Sequence, residues 1–336
     1  MANPSGTAQP NRPAARPSTS VLAWTALVAN VVVILQGAVV RATGSGAGCG
    51  SHWPTCNGQV IPLAPTLETG IEFTHRLMSL VVLVLGVWLL RRGLAARRER
   101  PGLAVFASVS FGFLVIEALI GAATVLLGLT GDDTSVARGV WVASHLVNSL
   151  LLVGALSATV VYARRSGAPD YPLRLGRQTS LTVVLGVGIV AMLVLMFTGG
   201  IAAMGNTIFP SESLAQGLRA DFDPNSHLLI RLRILHPLIA IAVGTYLFVG
   251  LGLSWYLKPV PSARRLAQVL LGVYIVQVII GTANLAFLAP IALQVLHLAV
   301  AVAAFALLSS LAVSLLGGHP VAVAEAAARG AAWENA

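Results

Sequence analysis

The chain has 336 residues, of which 56% are hydrophobic and only 10% charged, with a mean hydropathy of +0.83. A soluble domain carries roughly a quarter charged residues, so this composition excludes an ordinary soluble protein and points to an integral membrane protein. The net charge of +9 is therefore no evidence for nucleic-acid binding; what matters is where the basic residues stand relative to membrane spans.

Residues 1–20 are rich in Pro, Ala, Ser and Asn, with Arg12 and Arg16 and no acid. Nothing there could bury a core, so a disordered cytoplasmic tail is expected. A transit peptide is the alternative, since such segments also carry arginine and avoid acids. The span that follows lacks a convincing small-residue cleavage site and is expected to be retained. Apolar runs long enough to cross about 30 Å of hydrocarbon lie near 21–41, 72–91, 104–129 and 139–162, then near 180–203, 231–255, 264–288 and 290–316. The expected fold is an all-α integral membrane protein with eight transmembrane helices.

Basic residues gather on one side. Arg91, Arg92, Arg97, Arg98 and Arg100 follow span two, Arg164, Arg165, Arg174 and Arg177 follow span four, and Lys258, Arg264 and Arg265 separate spans six and seven. By the positive-inside rule both termini are then cytoplasmic, and the loops 42–71 and 204–230 face outward.

The halves repeat at a spacing of about 160 residues. "LQGAVVRATG" (35–44) matches "TGGIAAMGN" (198–206), and "FTHRLMSL" (73–80) matches "ILHPLIAI" (234–241). "EALIGAATV" (117–125) matches "QVIIGTANL" (277–285), and "VASHLVN" (142–148) matches "QVLHLAV" (294–300). Four spans per copy is an even number, so both copies enter from the same side as two parallel-repeat four-helix bundles. The expected division is an N-terminal bundle over 21–165, a C-terminal bundle over 178–317 and a cytoplasmic tail over 318–336.

Four of the seven histidines, His75, His145, His236 and His297, lie near the outer ends of even-numbered spans. The repeat pairs His75 with His145 and His236 with His297. Two imidazoles facing each other across a helical bundle suit axial ligation of a haem iron, one haem per half. Zinc fits less well, because neither pair has a third or fourth ligand. Arg41 and Arg76 at the first mouth, and Arg231 and Arg233 at the second, could pair with propionates or snorkel to the interface.

The two sites differ. Glu72 precedes His75 by three residues on the same helical face, where the second half has Arg233. An acid beside one imidazole suggests chemistry at that haem and electron storage at the other; an interfacial solvated Glu is the alternative. The outer loop "GSGAGCGSHWPTCNG" (44–58) holds Cys49 and Cys56, the sole cysteines. On an oxidising face they are expected to form a disulfide, either a staple or a redox-active pair. His52 adds a C-x2-H-x3-C spacing, a weak metal signal. Glu117, deep in span three opposite Gln277 in the repeat, is expected to be protonated or hydrogen-bonded, or to relay protons. Gly37, Gly121, Gly199 and Gly281 are expected to permit close helix approach.

With "GAVVRATGSG", Cys49 and Cys56, "EFTHR", His145, His236 and His297, the chain resembles the heme A synthase family over residues 21 to 316. That resemblance implies oxidation of a ring methyl of haem O to a formyl group, by successive hydroxylations, giving haem A for terminal oxidases. It implies His236 and His297 as axial ligands of haem b, His75 and His145 with Arg41 and Arg76 at the substrate haem, Glu72 as the catalytic acid, and a Cys49–Cys56 disulfide. It also implies a multi-pass protein of the bacterial plasma membrane. The expected partners are the haem O-producing farnesyltransferase, terminal oxidase assembly and an electron partner. Glu117, where a glutamine-like residue is expected, and Pro237, where the first half has Arg76, depart from the pattern. A di-haem b cytochrome for electron transfer or quinone oxidoreduction is the competing reading. A transporter is third, since it would explain the repeat but not the imidazoles.

Overall fold

The computed structural model describes residues 18–165, 171–173 and 179–318. The two tails over 1–17 and 319–336, and Arg174 and Arg177, lie outside the described residues. Among the described residues, eight helices are long and apolar enough to cross a membrane.

These helices are apolar on every side, as spans surrounded by lipid and protein must be. Their ends are set by local chemistry. α1 (Thr19–Ala42) is capped by Ser18, α2 (Leu67–Ala95) by Thr66 and α4 (Val136–Arg164) by Ser135, each hydroxyl accepting from a backbone N–H three residues on. α3 (Pro101–Leu126) and α9 (Pro261–Ala286) begin with proline, whose missing donor costs nothing at a first helical position. α3 stops two residues before Gly128, which takes the left-handed conformation (φ +68°) that ends many helices. α5 (Thr179–Ile208) and α10 (Ile291–Leu316) complete the long single elements.

The sixth span, expected near 231–255, is interrupted by a 3-10 turn at its start. It comprises α7 (Leu228–Arg231), a 3-10 turn Leu232–Ile234 and α8 (Leu235–Leu257), preceded in the outer loop by the short α6 (Leu214–Phe222). Pro237 supplies the reason: it cannot donate to the carbonyl of Arg233, so the α-helical ladder is interrupted where the chain enters the span. At the corresponding place in the first half, Arg76 keeps its N–H and α2 runs unbroken for 29 residues.

In the first half α1 packs on α2 and α4, and α3 packs on α2 and α4. In the second half α5 packs on α8, and α9 on α10. α4 and α10 lie at the centre, where they touch one another; α4 also packs on α5, and α10 on α1. The largest fully buried side chains include Tyr162 of α4 and Phe305 of α10. The connections gather by end. Arg100, between α2 and α3, donates to the carbonyls of Tyr162 and Arg165 at the end of α4. Lys258, after α8, donates to Leu315 O near the end of α10. The basic α2–α3 loop thus lies beside the end of α4, and the start of the α8–α9 loop beside the end of α10. A short pairing of β1 (Tyr171–Leu173) with β2 (Gly317–Gly318) adds a last contact.

Candidate functional site

Each of the four intramembrane histidines is seated on a glycine of the span that precedes its own. A Cβ added to Gly37 of α1 would lie 3.1 Å from His75 Cε1, and one on Gly121 of α3 would lie 3.6 Å from His145 Cε1. In the second half a Cβ on Gly199 of α5 would lie 2.9 Å from His236 Cε1, and one on Gly281 of α9 would lie 2.7 Å from His297 Cε1. The expectation of close helix approach was too general. These glycines make room for imidazoles.

The rings of His236 and His297 have centroids 6.2 Å apart and stand nearly perpendicular, at 85°. Two imidazoles holding one iron between them at metal–nitrogen distances of about 2 Å would have ring centres about 6 Å apart, so the separation of this pair suits a bis-imidazole site. His236 Nδ1 lies 3.2 Å from Leu195 O and 3.4 Å from Thr198 Oγ1. A hydrogen bond from Nδ1 to that carbonyl leaves Nε2 as the nitrogen available to a metal. His297 Nε2 lies 3.2 Å from Gln277 Nε2, and its Nδ1 is buried with no hydrogen bond among the described residues. In the first half, the Nδ1 atoms of His75 and His145 are both buried with no hydrogen bond among the described residues.

Glu72, only 4% exposed, does not point at an imidazole. Its Oε2 accepts the N–H of Cys49 at 2.9 Å, and its Oε1 accepts Arg76 Nη2 at 2.5 Å and Nε at 3.1 Å. Arg76 also donates through Nη1 to His52 O (2.7 Å) and Thr55 O (2.8 Å). The pair therefore clamps the outer loop, whose Cys49 and Cys56 are joined in a buried disulfide. A cystine offers no thiolate, so the C-x2-H-x3-C spacing around His52 loses its two sulfur ligands. A buried carboxylate needs such partners, and the salt bridge with two charge-assisted hydrogen bonds supplies them.

Arg41 leaves its own half. Its Nη1 donates to Ala203 O (3.0 Å) and Thr207 Oγ1 (2.5 Å) on α5, and its Nη2 to Gln294 Oε1 (2.7 Å) on α10. It ties the end of α1 to the C-terminal half, one turn from Gly37 and one turn from His297. At the second mouth, Arg233 is held by Asp221 Oδ1 (2.8 Å) and Asn206 Oδ1 (2.8 Å), while Arg231 only reaches Pro224 O at 3.5 Å. Glu117 is hydrogen-bonded, as expected. Asn148 Nδ2 donates to Oε2 at 2.5 Å, Ser149 Oγ donates to Oε1, and His145 Nδ1 stands 3.5 Å from Oε1. Of the two acids near the first pair, this is the one whose carboxylate faces an imidazole. Its sequence signal was the exchange of Glu117 for Gln277 in the repeat.

Known proteins resemble this chain at two scales. A protein of Thermus thermophilus named protoheme IX farnesyltransferase is 45% identical over 298 residues, covering 88% of this chain and 48% of that protein. The heme A synthase of Shouchella clausii is 41% identical over 102 residues, 29% of this chain and 33% of the relative. That of Geobacillus kaustophilus is 46% identical over 105 residues, 30% of this chain and 32% of the relative. The chain spans about half the length of the Thermus relative and a third of the synthases. The COX15-CtaA family, described as cytochrome oxidase assembly protein, matches residues 20–69 and 66–309. With nearly all of its spans inside that match, the chain is a multi-pass membrane protein of the COX15-CtaA family, the heme A synthase family that its motifs resemble.

Proposed function

We propose that this protein oxidises the ring methyl of haem O to a formyl group, giving haem A for terminal oxidases. The observation that carries the reading is the His236–His297 pair, with ring centres 6.2 Å apart, together with a second histidine pair seated on glycine in the same manner. On this reading residues 21–165 and 178–317 are the two repeats. His75 and His145 hold the substrate haem in the first, and His236 and His297 hold haem b in the second. The relatives named heme A synthase support the substrate. A region like this chain within a protein named protoheme IX farnesyltransferase supports a link to the enzyme that makes haem O.

Bound haem iron supplies the redox chemistry. The net change, methyl to formyl, is a four-electron oxidation with gain of one oxygen atom, so an external electron partner and oxygen source are required. The chain's own residues orient and shield. Gly37 and Gly121 let the helices close on the imidazoles, and the apolar spans keep water from the porphyrin faces. Glu72 sits one turn beyond His75 and holds the disulfide loop over the mouth through Cys49 N–H and Arg76. Its carboxylate, buried one turn from His75, would be the acid of α2 placed to handle protons at that site. Arg76 holds it in place through Nε and Nη2. Arg41 fixes the spacing of the two halves. The positive-inside pattern puts both termini in the cytoplasm and the disulfide loop outside.

Expression in a haem O-producing host, with mass analysis of extracted haems, tests this. Haem A is expected from the wild type, and only haem O, or an incompletely oxidised haem, from Glu72→Ala. Wild-type protein with two b haems and no haem A would overturn the enzymatic reading in favour of a di-haem cytochrome.

A further inference from the structure

α3 builds the slot for His145 with two residues one turn apart. Gly121 gives the ring room, a Cβ there lying 3.6 Å from Cε1 and 3.9 Å from Nε2. Glu117 stands at the opposite nitrogen, its Oε1 3.5 Å from Nδ1. That Nδ1 is buried and makes no hydrogen bond among the described residues. The carboxylate itself is held from the other side by Asn148 Nδ2 and Ser149 Oγ, both on the histidine's own helix, and Asn148 is further tied to Phe113 O at 3.0 Å. A carboxylate in a span is costly, and this one is braced so that it faces one imidazole nitrogen. At the same offset on α9, Gln277 and Gly281 flank His297, and there the neighbour is a neutral amide that lies 3.2 Å from Nε2 rather than facing Nδ1.

We infer that Glu117 is a positioning residue for His145: it stands where a small ring adjustment lets it accept a hydrogen bond from Nδ1–H, which would present Nε2 to the iron and make this imidazole a stronger donor than an amide neighbour would. An imidazole whose other nitrogen donates to a carboxylate is held in one tautomer and becomes more basic. A more basic axial ligand favours ferric over ferrous iron, so Glu117 lowers the reduction potential of the first haem relative to an amide at that position. The inference rests on the haem sites proposed above and adds to them a difference between the two halves.

The test is redox potentiometry with electron paramagnetic resonance on purified, haem-loaded full-length protein. The component abolished by His145→Ala is assigned to the first half. Glu117→Gln, which gives α3 the amide found on α9, is expected to raise the potential of that component and move its low-spin ferric signal, leaving the other component unchanged. Haem retained with both properties unmoved would overturn the inference. If Glu117→Gln loses the component, Glu117→Asp decides. Its retention in the aspartate variant supports a carboxylate requirement, whereas its loss with the C-terminal component intact overturns the inference. Should His145→Ala abolish neither component, the proposed N-terminal site fails, a result separate from any shift in potential.

Discussion

Gly281 and His297 compete for the same space: a side chain on the glycine would place its first carbon 2.7 Å from the imidazole Cε1. The same relation recurs at Gly199 (2.9 Å), Gly37 (3.1 Å) and, with ordinary contact, Gly121 (3.6 Å). Alanine substitutions are therefore expected to fall in that order. Gly281→Ala and Gly199→Ala should displace their histidines and lose most of the C-terminal low-spin haem. Gly37→Ala should weaken the N-terminal site, and Gly121→Ala should stay near wild type. Haem absorbance per mole of purified protein reads this out. A series with equal effects at all four positions would contradict steric seating.

Arg41 joins the end of α1 to α5 and α10 through three hydrogen bonds. Arg41→Ala leaves Gln294 Oε1 short of a donor and removes one partner from Ala203 O and Thr207 Oγ1, which stay bonded to each other, at a cost of about 1–3 kcal/mol. A lower apparent melting temperature in detergent is expected, with Arg41→Lys recovering only part because an ammonium cannot reproduce the guanidinium's fork. Unchanged melting in both variants would show that the halves hold together without this contact.

The disulfide loop is restrained at Cys49–Cys56 and again by Glu72 and Arg76. On the chain-entropy account the crosslink stabilises the loop by roughly 2–3 kcal/mol, so its removal should speed local amide exchange on the order of a hundredfold. Hydrogen exchange on the Cys49→Ser/Cys56→Ser double variant should show this over residues 48–66 and leave the spans protected. No acceleration would mean that the Glu72–Arg76 clamp alone holds the loop.

With the loops after α2 and α8 basic and lying beside the ends of α4 and α10, green fluorescent protein fused after Ala336 should fluoresce. Alkaline phosphatase fused within 57–63 should be active. The reverse pattern would invert the topology.

The eight spans were legible in the sequence because hydrocarbon imposes length and apolarity on any crossing segment, whatever its neighbours. The break before α8 was legible only as Pro237 in place of Arg76. Its consequence, a short turn between α7 and α8, needed the backbone. The histidines stand out because the repeat matches them twice; the matched glycines read only as positions of close helix approach, because the imidazoles they make room for come from another span.

Sequence by itself thus determined the membrane class, the number of spans, the family motifs and the candidate imidazoles, since each depends on residue identity and spacing along one helix. Tertiary structure decided which groups those side chains address. Glu72 turns to the loop and Arg76, Glu117 turns to His145, and Arg41 crosses to α5 and α10. No periodicity encodes these choices, because they depend on how helices far apart in the chain rotate against one another once packed.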